Sequence, residues 1–287
     1  MYKRQDKNGK KQVVDGRQRI SAILDFLEGK FKLNNLRILK QFNGCCFADL
    51  DLKQQGVIED FQLLFYIIQP PTPERVKYDI FDRVNRGGTP LNKQEMRNAL
   101  YRGRCTRMLD KLCCSPEFLI ATGRSINKER MKDQYVVLRA MAFLMLHRGE
   151  FKDIPALQYR GDIDDFLARF MVYVNDNAPE KLIVDYENLF IRCMQISYDL
   201  LGENGFRFSG NGIRRPINMP LFEALSYLFS FVPEKIDYTW ASRLILDIES
   251  VKEEFDDSRY FSGNIDSTTS VSFRFDRMDK IINRIQL

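Results

Sequence analysis

The sequence predicts an α+β fold, in which a small α/β part is followed by a mainly α-helical part. Gln12-Val13-Val14 is typical of a short strand, and Ile20, Ile23, Leu24 and Leu27 recur at helical spacing directly after it. Beyond Pro73 the apolar residues have helical spacing along most of the chain. We therefore predict an α/β domain over residues 1–103 and a helical domain over residues 104–287.

The α/β part is predicted to begin with the strand 12–14 and a helix from Arg17 to Leu27, which Gly29 ends. Pro70-Pro71 terminates a further apolar run that is typical of a strand, and Asn43-Gly44 predicts a turn between short β segments. The predicted segments are 31–33, 36–39, 45–47 and 62–69 for strands, with a short helix at 52–61.

The helical part is predicted from apolar periodicity and from helix-start signals. Asn92 is a typical N-cap, and Glu95 three residues later completes a capping box. Breaks rich in Gly, Ser and Asn at 202–212 and 262–269 predict loops within one domain. The predicted helices are 74–84, 92–101, 106–113, 128–146, 163–174, 179–201, 220–231, 238–251 and 272–285.

Composition excludes several classes of protein. The six cysteines form no CxxC pair and no disulfide framework, which predicts reduced thiols and a cytoplasmic location. No apolar run approaches the length of a membrane span, so no membrane partner is expected. His147 is the only histidine and is predicted at a helix end or in the core, which argues against histidine-based triads, HNH nuclease sites and His-rich metal cages.

The first residues of the chain predict that its N-terminus is truncated. A strand and its helix begin within fifteen residues of Met1, and we expect no earlier strand to pair with them. The segment 1–5 also matches the in-frame translation of a common transposon sequencing adapter, so we expect these five residues to be an assembly artefact.

The turn at Asp15-Gly16-Arg17-Gln18-Arg19 is the strongest candidate for a site. A strand that leads directly into a helix places unsatisfied N–H groups and the positive end of the helix dipole at the junction, where an anion binds readily. We predict Asp15 as N-cap with Gln18 as its capping-box partner. Arg17 and Arg19 in the first turn then need a negative partner, and phosphate fits their guanidinium groups. A capped surface helix with two solvated arginines is the alternative interpretation.

A second polar cluster spans residues 80–101. Gly87-Gly88 breaks one helix and Asn92 caps the next, so Asn85, Arg86 and the glycine amides gather at another junction. Glu95 and Asn98 then share one helix face, with Arg97 beside them. A plain solvated face explains the composition equally well. The chain contains neither a Walker-type loop nor G-x-G-x-x-G, so standard nucleotide folds are not indicated.

Together the two clusters resemble one family. The first cluster is similar to the D-G-Q-Q-R motif of the GmrSD-type restriction endonuclease N-terminal family, and it reads V-V-D-G-R-Q-R-I-S-A-I-L-D-F-L-E-G. The second signature of the family is similar to I-F-D-R-V-N-R-G-G-T-P-L-N-K-Q-E-M-R-N-A-L-Y. The later helical portion of its stand-alone members is similar to Arg214-Arg215-Pro216-Ile217-Asn218 followed by Leu221-Phe222-Glu223-Ala224. The resemblance implies a ParB/sulfiredoxin-like α/β fold with a helical extension, and a role in defence against foreign or modified DNA.

The resemblance also implies residue roles in binding and hydrolysis of GTP or ATP with Mg²⁺. Asp15, Gly16, Gln18 and Arg19 match the motif by position, whereas Arg17 replaces its first glutamine. The expected catalytic residues are Asp15, Gln18 and Arg19. The expected nucleotide-binding residues are Gly16, Arg17, Asn85, Arg86, Gly87, Gly88, Glu95, Arg97 and Asn98.

Two features of the family are missing from this sequence. There is no Q-R-x-Y-x-W-like segment upstream of the turn and no HNH domain, so we expect a separate nuclease subunit to supply DNA cleavage. The main alternative is a non-catalytic ParB-like module that binds DNA or regulates a partner through phosphate contacts. A weaker third hypothesis is a carboxylate–metal nuclease at Asp164-Asp165 or Asp256-Asp257, pairs that are more often solvated.

Overall fold

The computed structural model describes residues 2–5, 11–68, 76, 80, 91–210, 214–233, 235, 237–258, 260–261 and 263–285, and for 2–5, 11–15, 17, 66, 68 and 285 it describes the backbone alone. Its backbone contacts divide the chain into two compact units, residues 1–90 and 91–287. The predicted helix 74–84 lies almost wholly outside the described residues.

The first unit contains a three-stranded sheet. Strand β1 (Tyr2–Gln5) lies in the middle, antiparallel to β2 (Lys11–Asp15) and parallel to β3 (Tyr66–Ile68). The expectation that no strand precedes β2 is therefore wrong, because β1 pairs with it. Tyr2 pairs with Asp15 and Lys3 with Val13, so Val14 has no partner and the register shifts by one residue.

The segment between β2 and β3 is helical where it is regular. Helix α1 (Arg17–Leu27) and helix α2 (Leu52–Glu59) are joined by a segment with short 3₁₀ turns at Lys40–Phe42 and Phe47–Asp49. Phe26 of α1 is buried, and its ring lies 5.5 Å from that of Phe31 and 6.0 Å from that of Phe47. This small aromatic cluster holds the joining segment against α1.

The predicted strands at 31–33, 36–39 and 45–47 are absent from this described segment. Leu33 exchanges backbone hydrogen bonds with Gly44 and Cys45 only, at 2.7 and 2.9 Å. The Asn43 side chain instead bonds both the N–H and the carbonyl of Leu36. Side-chain bonding of this kind competes with strand pairing, so the segment closes into a turn and does not extend a ladder.

The predicted α+β class is wrong as a description of the chain. Within the described residues helices dominate, and regular β structure is limited to one sheet with strands of four, five and three residues. That sheet does not show a ParB/sulfiredoxin-like α/β domain. The strand before the turn and the core of the later strand, at β3, were nevertheless predicted correctly.

The second unit is a helical assembly. Its helices are α3 (Lys93–Leu100), α4 (Arg104–Cys113), α5 (Pro116–Ala121), α6 (Lys132–His147), α7 (Ile163–Asp176), α8 (Glu180–Leu201), α9 (Met219–Phe229), α10 (Tyr238–Asp256) and α11 (Thr268–Ile285). Short 3₁₀ turns occur at Glu129–Met131, Pro155–Leu157 and Gly202–Asn204.

Helices α6 and α9 form the centre of this unit. Every residue from Val136 to Met145 and from Pro220 to Phe229 is buried. Phe118 of α5 and Phe190 of α8 pack their rings against Phe222 of α9. Burial on all sides is typical of a helix in the interior of a large domain.

Side-chain caps account for the helix starts that were predicted well. Asn218 accepts the N–H of Leu221 at the start of α9, and Asp237 accepts that of Trp240 at the start of α10. Asp162 caps α7 through the N–H groups of Asp164 and Asp165. Helix α5 was not predicted, and α11 begins four residues before the predicted position. No helix in the described part of the chain is long and apolar enough to span a membrane.

Candidate functional site at the start of helix α1

The turn between β2 and α1 has a left-handed glycine at its centre. Gly16 is buried and has φ 93° and ψ 10°, a conformation that strongly favours glycine. Gly16 is the N-cap of α1, and Asp15 is the last residue of β2. The prediction that Asp15 is the N-cap, with Gln18 as its capping partner, is therefore wrong, because the chain turns one residue later than expected.

This geometry leaves the start of α1 suited to an anion. Gly16 has no side chain with which to cap the helix, although its carbonyl accepts the first helical N–H from Ile20 at 2.8 Å. The first turn of α1 contains no acidic residue. Gln18 and Arg19 are exposed there. N–H groups at a helix start attract negative charge through the helix dipole, and arginine strengthens that attraction.

The irregular pairing of β2 lies directly before this turn. Since Val14 has no partner on β1, two residues of β2 oppose one step of the neighbouring strand, as in a β-bulge. A bulge redirects the residue that follows it and increases the local twist. Asp15 therefore enters the turn from a distorted strand end. Functional sites often lie beside such distortions.

The predicted second cluster is described only in part. Asn85, Arg86, Gly87 and Gly88 lie outside the described residues. Glu95, Arg97 and Asn98 belong to α3 of the second unit, where the predicted capping box is confirmed: Asn92 accepts the N–H of Glu95 at 2.9 Å, and Glu95 accepts that of Asn92 at 2.7 Å. A further hydrogen bond from Arg130 is the main reason that the pKa of Glu95 lies below its ordinary value.

Arg97 and Asn98 make their contacts inside the helical unit. Arg97 is fully buried, donates to Asp164 at 2.8 Å and to Gln94 at 3.0 Å, and lies over the ring of Tyr135. Asn98 accepts a hydrogen bond from Gln94 and donates one to Gln134. These contacts stabilise the junction of α3, α6 and α7. A role for Glu95, Arg97 and Asn98 in nucleotide binding stays a prediction.

Asp164 is the counterion of Arg97. This role has no signal in the sequence, where adjacent acidic residues such as Asp164-Asp165 are typical of a solvated pair. Burial acts to raise the pKa of Asp164, but hydrogen bonds from Lys93 and Arg97 outweigh burial and leave the pKa below its ordinary value. The carboxylate therefore stays charged in the folded protein.

Asp164→Asn is expected to lower the free energy of unfolding by about 2 kcal/mol, because a buried guanidinium would lose its charged partner. Asp165→Asn is the matched control, since Asp165 pairs with the more exposed Arg169; its cost should stay below about 1 kcal/mol. Urea unfolding followed by the fluorescence of Trp240, the only tryptophan, reports on the helical unit. Equal costs for the two variants would contradict the assignment.

A larger charge network is buried at the centre of the helical unit. Glu223 of α9 accepts hydrogen bonds from Arg274 of α11, at 2.7 Å, and from Arg139 of α6. Arg139 also binds Asp266, at 2.6 Å. All side chains of this network except that of Asp266 are essentially inaccessible to solvent. The sequence carries one signal of this network, a single acidic residue, Glu223, within the apolar run 220–229.

Comparison with known proteins identifies the first part of the chain. Residues 1–102 match the family model described as GmrSD restriction endonuclease, N-terminal domain. Neither the curated proteins nor the solved structures contain a match to the chain. The matched segment includes the whole Asp15–Arg19 turn and the second motif. The family resemblance predicted from the motifs is therefore confirmed over residues 1–102, and a GmrSD N-terminal domain suggests a component of a restriction or phage-defence system.

Proposed function

We propose that the chain binds and hydrolyses a nucleoside triphosphate at the start of α1, as part of a restriction or phage-defence system. The observation that carries the proposal is Gly16 in the left-handed conformation, which joins β2 directly to a helix start without a side-chain cap of its own. A phosphate group fits such a junction because backbone N–H groups and the helix dipole point towards it. The family match of this segment supports the same assignment.

In this proposal each residue of the turn has a separate role. The N–H groups at the start of α1, together with Arg17 and Arg19, bind the phosphate oxygens and stabilise the charge that develops during phosphoryl transfer. Gln18 orients the attacking water. Arg17 replaces a glutamine of the family motif and adds one positive charge to the phosphate contacts.

The expected Mg²⁺ is compatible with the residues of this turn. The described residues include no group of three or more His, Cys, Asp or Glu side chains able to hold a metal by themselves. Mg²⁺ that enters with a nucleotide needs no such group, since phosphates and water supply most of its ligands beside one or two carboxylates. We assign the carboxylate to Asp15. We further propose that DNA is the target of the defence system and that a nuclease in another subunit cleaves it.

The test is GTP and ATP binding and turnover with Mg²⁺ by the whole chain and by Arg19→Ala. We expect turnover to fall by at least about 10²-fold in Arg19→Ala, as when a preorganised group that stabilises the transition state is removed. Arg37→Ala is the matched control, because Arg37 is an exposed arginine of the same unit outside the turn. Circular dichroism tests whether both variants stay folded.

Two results would overturn the proposal. Turnover that is equal in Arg19→Ala and Arg37→Ala would move the site away from this turn. Absence of nucleotide binding, together with DNA binding that weakens steeply with salt, would favour the non-catalytic DNA-binding alternative.

A further inference from the structure

A polar cavity of about 670 Å³ lies within the helical unit, between the segment that follows α8 and helix α10. Four cationic side chains line it, and two of them, Arg207 and Lys252, are only 4% exposed. The other two, Arg214 and Arg215, are partly exposed at its rim. A cavity of this volume is typical of small-molecule sites.

Three of the four cations have a carboxylate partner. Arg214 pairs with Glu203 at 2.7 Å, Lys252 pairs with Glu249 at 2.8 Å, and Arg215 pairs with Asp256. Arg207 is different. Its guanidinium donates to the carbonyls of Glu203, Arg215 and Thr122 and to the hydroxyl of Ser125, all of which are neutral acceptors.

The missing counterion sets Arg207 apart from the other buried arginines in the described part of the chain. Arg97 binds Asp164, whereas Arg139 and Arg274 both bind Glu223. Buried charges in proteins are normally paired in this way, because an uncompensated charge away from water is costly. Burial and the neighbouring Arg214 accordingly lower the pKa of Arg207, and the opposing effect of the Glu203 carboxylate, which forms no ion pair with it among the described residues, is smaller. The cavity lining therefore contains more cations than carboxylates: Arg207, Arg214, Arg215 and Lys252 against Glu203 and Glu249.

The backbone at Gly123 lies close to the side chains at the rim of the cavity. Gly123 has φ 58°, and a Cβ at that position would overlap the guanidinium of Arg214 and lie 2.7 Å from Oε2 of Glu203. The Arg214–Glu203 pair consequently lies directly against the backbone. Phe208 packs under the guanidinium of Arg215, at 5.4 Å from its ring centre. Both rim arginines are thus held in place, and the described hydrogen bonds use only Nη2 of Arg214 and Nη1 of Arg215, which leaves other guanidinium N–H groups for a ligand.

We propose that this cavity binds a small phosphate-bearing anion, with Arg207 supplying the buried charge and Arg214 and Arg215 the direct contacts. Four hydrogen bonds already engage Arg207, so it acts mainly through its charge. Arginine is suited to the rim positions because its planar N–H groups match phosphate oxygens. The site lies wholly within the second unit and does not depend on the function proposed for the α1 turn.

Pyrophosphate is the probe, and Arg19→Ala is the background, so that the contribution of the α1 turn to binding is reduced and is the same in every variant compared. We expect pyrophosphate at constant ionic strength to raise the melting temperature of the helical unit, as any ligand of the native state does. Arg207→Gln and Arg214→Gln should each weaken binding by about tenfold or more, as measured by calorimetry. Arg207→Lys keeps the charge and should retain most of the affinity.

Arg243→Gln is the matched control, because Arg243 is exposed on α10 away from the cavity. It should bind as the background protein does. If Arg207→Gln fails to fold, Arg214→Gln decides. The proposal is overturned if pyrophosphate has no effect on the background protein, or if Arg214→Gln and Arg243→Gln bind it equally. A nucleoside triphosphate and a single-stranded oligonucleotide, titrated in parallel, distinguish a free nucleotide from a DNA phosphate as the source of the anion.

Discussion

Glu223→Ala is expected to lower the free energy of unfolding of the helical unit by about 3–5 kcal/mol, the cost of breaking a buried ion pair. The substitution would leave Arg139 and Arg274 with no carboxylate between them, and both are at most 1% exposed. Arg139 keeps Asp266 as a charged partner, whereas among the described residues Arg274 keeps a hydrogen bond to the carbonyl of Ile265 and its contacts with the rings of Phe143 and Phe275, but no carboxylate. Most of the cost therefore arises at Arg274. Such a loss is comparable with the whole stability of many domains.

Urea unfolding followed by Trp240 fluorescence measures this loss without a contribution from tryptophan elsewhere. Glu180→Ala is the control, since Glu180 pairs with Arg104 at 2.9 Å but is largely exposed. Its effect should be below about 1 kcal/mol. Glu223→Gln should give an intermediate loss, because an amide oxygen can accept one of the two hydrogen bonds. A Glu223→Ala variant as stable as Glu180→Ala would show that the network does not stabilise the fold.

Stability is expected to fall on mild acidification because of His147. Its imidazole stacks on Phe275 with ring centres 3.6 Å apart, and burial with the nearby Arg274 lowers its pKa from 6.5 to about 3. Between these pH values the unfolded chain binds a proton that the folded chain does not. The stabilisation is therefore complete above pH 6.5 and is lost as the pH falls towards 3.

The diagnostic window is pH 6.5 to 5, where carboxylates titrate little. We expect the free energy of unfolding to fall by about 2 kcal/mol over this window, because one proton is bound only by the unfolded chain. His147→Phe retains an aromatic ring and removes the only histidine, so its stability should be flat over the same window. Urea unfolding at several pH values provides the comparison. The assignment fails if the two proteins lose stability equally.

The helical unit could be predicted from the sequence because its signals are local. Apolar periodicity and capping residues act within one or two helical turns, and the structure confirms the predicted cap at Asn92. Asp162 caps α7 in the same local way, although it was not predicted as a cap. Partners distant in the chain could not be predicted in this way. Glu223 lies 84 residues from Arg139 and 51 from Arg274, so only the fold brings the three together.

The first unit was harder to predict because short apolar segments fit strands and turns equally well. The segments around Leu33 and Leu36 have a strand-like composition, yet the Asn43 side chain satisfies the backbone of Leu36 and closes a turn. At the site the motif located the helix start correctly. The identity of the N-cap depended on whether Asp15 or Gly16 makes the turn, and the bulge at Val14 that precedes it has no signature in the sequence.

The 3₁₀ turn before α6 has a consequence for local unfolding. Arg130 and Met131 are successive non-glycine residues in the left-handed conformation, with φ 56° and 57°, and each such residue costs about 1–2 kcal/mol. Asn92 holds this turn through the Arg130 carbonyl, at 2.6 Å, and Glu95 holds its guanidinium. When the first turn of α3 frays, these two restraints are lost, so we expect the start of α3 and the start of α6 to open together.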